Sequence, residues 1–233
     1  MIDLNKAKNE FLGIVAHDLK NPLASINMSA TLISSYHDKM GKEDIIKRSN
    51  DIQTTANRMN ELIKNLLDIN RLETGKFTIN LSEVSINEVI NEIVTNFITY
   101  SQSKNIEVKF NFEKEYIVNS DKDKLFQILE NLISNAIKYS PQGKIVKIQF
   151  SIVDSFTRIS VIDDGPGLSD EDKSKLFEKF TRLSAKPTGG ENSTGLGLSI
   201  VKKLAQAIGG NVGCNSELGA GSEFYVDLPN SKI

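Results

Sequence analysis

Cysteine is almost absent from this sequence, and its scarcity excludes two kinds of scaffold. The single residue, Cys214, can form no internal disulfide and leaves too few thiolates for a structural zinc cluster. A chain with one thiol suits the reducing cytoplasm, where disulfides are rare. We therefore expect a cytoplasmic protein.

Long apolar runs are also missing. No stretch approaches the roughly 20 apolar residues of a membrane-spanning helix, and the first residues lack the apolar core of a signal peptide. The net charge of -2 gives no strong attraction to nucleic acid or anionic lipid. We expect no nucleic-acid partner and no membrane contact by this segment itself. The segment would suit the cytoplasmic part of a longer protein that has an input domain upstream, whether or not that protein is bound to a membrane.

Helical periodicity dominates the first third of the chain. The length of 233 residues, with 39% apolar and 25% charged residues, indicates one or two globular domains. In the second of two predicted helices, an apolar stripe repeats every seven residues and needs a partner to cover it: Ile45, Ile52, Met59 and Leu66. Residues 1–75 are therefore predicted to form a helical hairpin that ends at Gly75. Two copies of the hairpin should associate through residues 5–74, so that their helices form the dimeric four-helix bundle of a homodimer.

From about residue 76 the pattern changes to alternating strands and helices. The segments predicted as strands are FTINL, IEVKFNF, KIVKIQFSIV, TRISVID, NVGCNS and SEFYVDL, and helices are expected near 86–102, 122–139 and 196–208. Residues 76–233 should thus form an α/β sandwich, one sheet backed by helices. The fold class of the whole chain is predicted to be α+β.

One histidine in the first helix is a candidate nucleophile. At about 100° per residue, the apolar stripe of that helix lies opposite His17, so the side chain is expected to face water. Asp18 is its neighbour, and Asn21 lies one turn later on the same side. An imidazole that is mostly neutral at pH 7 has a free nitrogen lone pair. The alternative is a solvated surface histidine, which is how we interpret His37.

Two asparagines and a lysine share one face of the helix predicted at 122–139. The amide oxygens of Asn131 and Asn135, one turn apart, suit a hard cation such as Mg²⁺ that also contacts phosphate, and Lys138 continues that face. Alternatively, the asparagines are only the solvated side of an amphipathic helix. The pattern alone does not decide between these interpretations.

Two glycine-containing turns flank a polar loop, SAKPTGGENST. Asp163 ends an apolar strand just before Gly165 and Gly167, where a carboxylate can meet a ligand. Gly195 and Gly197 open a helix whose free N–H groups would suit a phosphate. The alternatives are a tight turn and a glycine-rich hinge. Neither segment is a dinucleotide fingerprint or a Walker loop.

In order along the chain, the motifs HDLKNPL, NLISNAIKYSP, DDGPGL, LFEKF, TGLGLSIV and GAGSEF resemble those of the bacterial-type sensor histidine kinases. The resemblance covers residues 5–229 and implies a phosphoacceptor hairpin followed by a GHKL-type ATPase domain that binds ATP with Mg²⁺. It implies that His17 is the phosphoacceptor, Asp18 its base or polarising carboxylate, and Asn21 a phosphatase residue.

For the nucleotide, the resemblance implies that Asn135 with Asn131 holds Mg²⁺ and that Asp163 accepts a hydrogen bond from the adenine amino group. Gly165 and Gly167 would let the backbone approach the base. The implied phosphate contacts are Lys138, Tyr139, Arg182, Thr194, Gly195, Leu196 and Gly197. Asp164 departs from the Asn that is frequent in the family, and we expect altered loop contacts at most.

The function implied is ATP-dependent autophosphorylation of His17 and transfer to an aspartate of a response regulator receiver domain, with phosphatase activity toward that regulator. Gyrase-like and chaperone ATPases share the ATPase fold but lack an HDLKNPL helix before it. A degenerate scaffold would not be expected to keep His17, Asn135, Asp163 and Gly195.

Overall fold

The computed structural model describes residues 2–74, 78–179, 181, 183–189 and 195–230, without the side chains of residues 2–12, 14, 15, 17, 61, 72 and 73. The chain divides into two compact units, Met1–Arg71 and Leu72–Ile233. A helical hairpin makes up the first, and sheets with helices make up the second. The predicted α+β class is therefore confirmed.

Two long helices form the first unit. Helix α1 (Ile2–Tyr36) runs through Pro22, and α2 (Lys42–Glu73) follows one turn of 3₁₀ helix, His37–Lys39. Acidic residues in the first turn of α2, Glu43 and Asp44, complement the positive end of its dipole. Gly75, predicted to end the second helix, lies outside the described residues.

The seven-residue stripe of α2 is half-buried in the single chain. Beside it, Leu62 and Ile69 are buried, with 5% and 2% of their surface exposed. Several large apolar side chains of the hairpin stay exposed: Leu23, Met28, Ile46, Ile63 and Leu67. Dimerisation through residues 5–74 stays a prediction.

The second unit contains a five-stranded sheet in the order β2-β4-β5-β7-β6. Its strands are β2 (Glu107–Phe110), β4 (Ile145–Val153), β5 (Phe156–Asp163), β6 (Asn211–Glu217) and β7 (Gly221–Pro229). Only β2 and β4 pair in parallel, and the other neighbours are antiparallel. Asp163 is the last residue of β5, opposite Ser222 of β7.

A second, two-stranded sheet corrects one predicted strand. Residues 78–81 of the FTINL segment are not a strand; β1 (Ser82–Ser85) follows them and pairs with β3 (Ile117–Ser120). Both strands have four residues, and two of the four in β1 are exposed. Such short polar strands carry little period-2 signal, so the sequence pattern favoured the more apolar segment just before.

Helices α3 (Ile86–Ser103), α4 (Lys122–Tyr139) and α6 (Gly197–Ala207) back the five-stranded sheet, and α5 (Asp170–Lys175) is a short connecting helix. The apolar face of α4 is buried: Leu125, Ile128, Leu129, Leu132, Ile133 and Ile137 are all at most 1% exposed. Each such side chain contributes about 1.5–3 kcal/mol of burial free energy. Because this face is buried against the core, only the opposite side of α4 is left for contacts with other segments or a ligand.

Side-chain caps set where α3, α4 and α5 begin. Asp121 accepts hydrogen bonds from the N–H groups of Asp123 and Lys124, at 3.1 and 3.2 Å, and so caps α4. Its other carboxylate oxygen accepts from the Asn80 N–H at 2.9 Å. A cap of this kind is worth about 1 kcal/mol. In the part of the chain that the structure describes, no helix has the length and apolar character needed to span a membrane.

Candidate functional site

The end of β5 presents a buried carboxylate. Asp163 is 5% exposed, and its Oδ1 accepts a hydrogen bond from the Gly165 N–H at 2.8 Å. Burial raises the pKa of Asp163 to about 6, Asp164 adds to the increase, and N–H groups of Gly165 and Ser222 oppose it. Asp163 is therefore mostly ionised at pH 7, oriented by the backbone, and able to accept a hydrogen bond from a ligand.

The glycines after Asp163 allow close packing of the turn. A Cβ at Gly165 would lie 2.6 Å from Asp163 Oδ1 and 3.1 Å from the Tyr139 carbonyl oxygen. At Gly167, φ is +68°, and a Cβ would collide with the carbonyl of Glu217. The tight-turn interpretation is thus sufficient to explain Gly167. Gly165 additionally brings Asp163 beside the last turn of α4.

The asparagines of α4 are half-buried and contact each other. Asn135 Nδ2 donates to Asn131 Oδ1 at 3.1 Å. A Cβ at Gly197 would lie 2.7 Å from that same oxygen, so Asn131 packs against the first residue of α6. These contacts do not describe a solvated helix face. Lys138 and Tyr139 are also half-buried.

An amide oxygen is a hard ligand of the kind that Mg²⁺ accepts. Since Asn131 Oδ1 already accepts from the amide of Asn135, the oxygen of Asn135 is the better placed of the two for a cation. Among the residues described, no group of three or more His, Cys, Asp and Glu could hold a metal. Mg²⁺ in proteins is usually held by one or two side chains together with the oxygens of a bound phosphate.

The N-terminus of α6 lies against this part of α4. Its N-cap residue Leu196 is 1% exposed and has no side chain to bond the first N–H groups. Gly195, just before it, has φ of +67°, a conformation that favours glycine. The first N–H groups of a helix and its dipole attract anions. Through Gly197, the structure thus joins the segment of Gly195 and Leu196 to the middle of α4, where Asn131 lies.

These contacts define the two ends of one site along α4. Tyr139 meets Gly165 and Asp163 at one end, and Asn131 meets Gly197 at the other. Eight residues of helix separate Asn131 from Tyr139, about 12 Å. A ligand with a hydrogen-bonding base and an anionic group at opposite ends suits this arrangement.

Not all predicted site residues can be placed. Arg182, Thr194 and the side chain of His17 lie outside the described residues. In α1, Asp18 is half-buried and Asn21 is exposed. Sequence reasoning missed two residues that fix the loop after α5, Asp172 and Thr188, although the Ser-x-x-Asp spacing before Asp172 is a helix-capping signal.

Comparison with known proteins places both units in known domain families. The family model described as "His Kinase A (phospho-acceptor) domain" matches residues 7–75. The model described as "Histidine kinase-, DNA gyrase B-, and HSP90-like ATPase" matches residues 120–232. The swarming motility regulation sensor protein RssA of Serratia marcescens is 29% identical over 97% of this chain. The chain spans 48% of the length of RssA, and between 15% and 55% of the length of other curated relatives.

Solved structures share the fold. Histidine kinase ThkA in complex with the response regulator protein TrrA has a TM-score of 0.75 and 24% identity, over 98% of this chain and 64% of that one. Full-length ShkA in complex with AMPPNP has a TM-score of 0.69 and 27% identity, over 96% of this chain and 46% of that one.

Proposed function

The chain belongs to the sensor histidine kinases, and on that premise we propose that it binds Mg-ATP and transfers the γ-phosphoryl group to its own His17. The observation that carries the proposal is the two-ended site on α4. A buried, ionised Asp163 lies at one end, and the N-terminus of α6, which receives no side-chain cap from Leu196, meets Asn131 at the other. ShkA, 27% identical, is a relative whose structure contains the ATP analogue AMPPNP.

Asp163 would recognise the base. Its ionised carboxylate would accept a hydrogen bond from the adenine amino group, and Gly165 and Gly167 would let the backbone lie close to the ring. The two N–H groups that orient the carboxylate belong to Gly165 and Ser222. They hold it in place before the ligand arrives, which lowers the entropy cost of binding.

The other residues of α4 and α6 would hold the triphosphate. Asn135, supported by Asn131, would bind Mg²⁺, which supplies charge neutralisation of the triphosphate when bound. Lys138, Tyr139 and Arg182 would contact phosphate oxygens. The backbone from Thr194 through Gly195 and Leu196 to Gly197 would give N–H groups to the same oxygens, as helix N-termini do for phosphates.

In the transfer step, a neutral nitrogen of His17 attacks the γ-phosphorus. The new P–N bond forms as the bond to the bridging oxygen breaks, and ADP leaves with that electron pair. Asp18 would orient the imidazole and take the proton from its other nitrogen. Catalysis then depends mainly on positioning and charge neutralisation.

Incubation with γ-labelled ATP tests this function. The parent chain should become labelled, and the label should be lost in acid and kept in base, as expected of a phosphoramidate. His17→Gln should incorporate no label and still bind ATP. Label retained by His17→Gln, or a label stable to acid, would contradict the assignment of His17.

We further propose that the phosphoryl group passes to an aspartate of a response regulator and that the active form is a homodimer through residues 5–74. ThkA, which shares the fold, is a histidine kinase in complex with a response regulator. The apolar side chains that the hairpin leaves exposed or half-buried support the dimer.

Phosphatase activity toward the regulator is a separate part of the proposal and rests on Asn21. The residue is exposed on α1, one turn after His17. Its carboxamide can orient a water for in-line attack on a phosphoaspartate without being a strong base. Asn21→Ala should leave labelling of His17 intact and slow the loss of phosphate from the regulator. Equal dephosphorylation rates at matched regulator binding would refute this role.

A further inference from the structure

The last turn of α4 is held by a cation from another helix. The final carbonyls of a helix lack partners within it. Lys104, at the C-terminal end of α3, donates from Nζ to the carbonyls of Ile137 and Lys138 at 2.8 and 2.9 Å. The negative end of the α4 dipole favours a cation at this place. Lys104 therefore fixes the turn of α4 on which Lys138 lies.

Thr188 attaches the loop after α5 to the same turn. Its backbone N–H donates to the Lys138 carbonyl at 3.0 Å, and its hydroxyl donates to the Ser140 carbonyl at 2.6 Å. The hydroxyl oxygen accepts from Lys104 Nζ at 2.8 Å. The hydroxyl has one hydrogen, which the nearer Ser140 carbonyl accepts. The hydroxyl oxygen lies 3.1 Å from the Lys138 carbonyl oxygen, and that contact is therefore the weaker one.

The loop is held at a second point nearer α5. Asp172, 8% exposed, accepts hydrogen bonds from the N–H and the hydroxyl of Ser184. It also accepts from Ser169, the N-cap of α5. The bonds from Ser184, more than any others, lower the pKa of Asp172, so it stays ionised at neutral pH. The described loop thus has one anchor on α5 and one on α4.

We propose that Thr188 is a positioning residue for nucleotide binding. Its hydroxyl, held by Lys104, fixes the described part of the loop, residues 183–189, to the turn of α4 that carries Lys138, a phosphate contact in the proposed function. This inference rests on the proposed function. Helix α4 does not depend on the tether, because Ile133 and Ile137 are fully buried. Loss of the hydroxyl therefore weakens the attachment of the loop, which keeps only the backbone bond to Lys138 at this point, and leaves the helix in place.

A pair of variants in the full chain isolates the hydroxyl. Thr188→Val keeps the shape and the backbone N–H and loses the hydroxyl, whereas Thr188→Ser keeps it. We expect Thr188→Val to bind Mg-ATP about five- to tenfold more weakly, the effect of losing one or two hydrogen bonds. Adenosine, which tests only the end of the site at Asp163, should bind with unchanged affinity. Thr188→Ser should restore Mg-ATP affinity.

Thr95→Val is the matched control, because Thr95 donates its hydroxyl to the Asn91 carbonyl on the exposed face of α3. It should leave both affinities unchanged. Lys104→Met is a second variant, expected to weaken Mg-ATP and spare adenosine as Thr188→Val does. Mg-ATP affinity equal to the parent, or a parallel loss for both ligands, would overturn the positioning role. A parent chain that binds no Mg-ATP would instead refute the proposed function, and this inference with it.

Discussion

From the buried carboxylate of Asp163 we predict how both the stability of the chain and its ligand binding depend on pH. Its folded-state pKa is about 6, raised by burial from 3.8. The difference corresponds to about 3 kcal/mol between the two protonation states. Since the folded pKa is raised, the folded chain binds the proton more tightly than the unfolded chain. The contribution to stability is therefore present below about pH 4 and is lost as the pH rises through 6.

Asp163→Asn removes the titration and keeps an oxygen acceptor for the Gly165 N–H. We expect the free energy of unfolding of the parent, relative to the variant, to fall by about 2 kcal/mol between pH 4 and pH 7, most of the full difference. Urea unfolding of both chains at several pH values measures this difference and cancels the titration of all other groups. Parallel stability profiles for parent and variant would show that Asp163 is not buried as described.

Ligand binding should follow the same group with the opposite sign. The ionised carboxylate accepts the hydrogen bond from the base, so the parent should bind adenosine about tenfold more weakly at pH 5 than at pH 7. Adenosine is the ligand of choice because it has no phosphate that titrates in this range. Asp163→Asn should bind about tenfold more weakly than the parent at pH 7 and show a flat pH profile. A parent profile without this slope would refute the assignment of Asp163 to the base.

Three further predictions test other parts of the chain. Gly197→Ala would place a Cβ 2.7 Å from the Asn131 amide oxygen and should displace that amide. It should weaken Mg-ATP binding about tenfold and change the melting temperature little. Gly13→Ala, whose new Cβ has nothing within 4 Å, is the control for both measurements. Ile52→Asp should yield monomers in light scattering because it puts a charge in the predicted dimer seam, whereas Asn50→Asp, at an exposed polar position of the same helix, should leave the dimer intact. Cys214, whose pKa burial raises to about 12, should react with iodoacetamide at pH 8 about a thousandfold more slowly than a free thiol, as followed by mass spectrometry.

Elements with a strong apolar period could be predicted from the sequence. The aliphatic residues of α4 recur at helical spacing, and all of them are buried in the structure, while Phe126 is half-buried. The period also implied which face of α4 is left for Asn131 and Asn135. Similarly, the apolar run of β5 predicted that Asp163 would lie at a strand end. In both cases one local pattern determined both the element and its orientation.

Contacts between distant residues could not be predicted in this way. Thr188 and Ser140 are 48 positions apart, and Lys104 and Thr188 are 84 apart. Nothing near Thr188 in the sequence shows which carbonyl its hydroxyl will meet, because that depends on where the sheet places α4. Strand β1 was not predicted for a different reason, since four residues with a single apolar side chain carry too weak an alternation to identify a strand.

Helix α4 connects these observations. Its buried face is determined locally, by its own apolar residues, but its other face is completed by three segments from later in the chain. Gly165 packs on the Tyr139 carbonyl, Thr188 bonds Lys138 and Ser140, and Gly197 packs on Asn131. Each segment contacts a different part of the helix, so each can be perturbed separately. A change at Gly165 should act on the base, and a change at Gly197 or Thr188 on the phosphates. If all three changes instead weakened adenosine and Mg-ATP equally, α4 would be only a structural support and not the wall of a two-ended site.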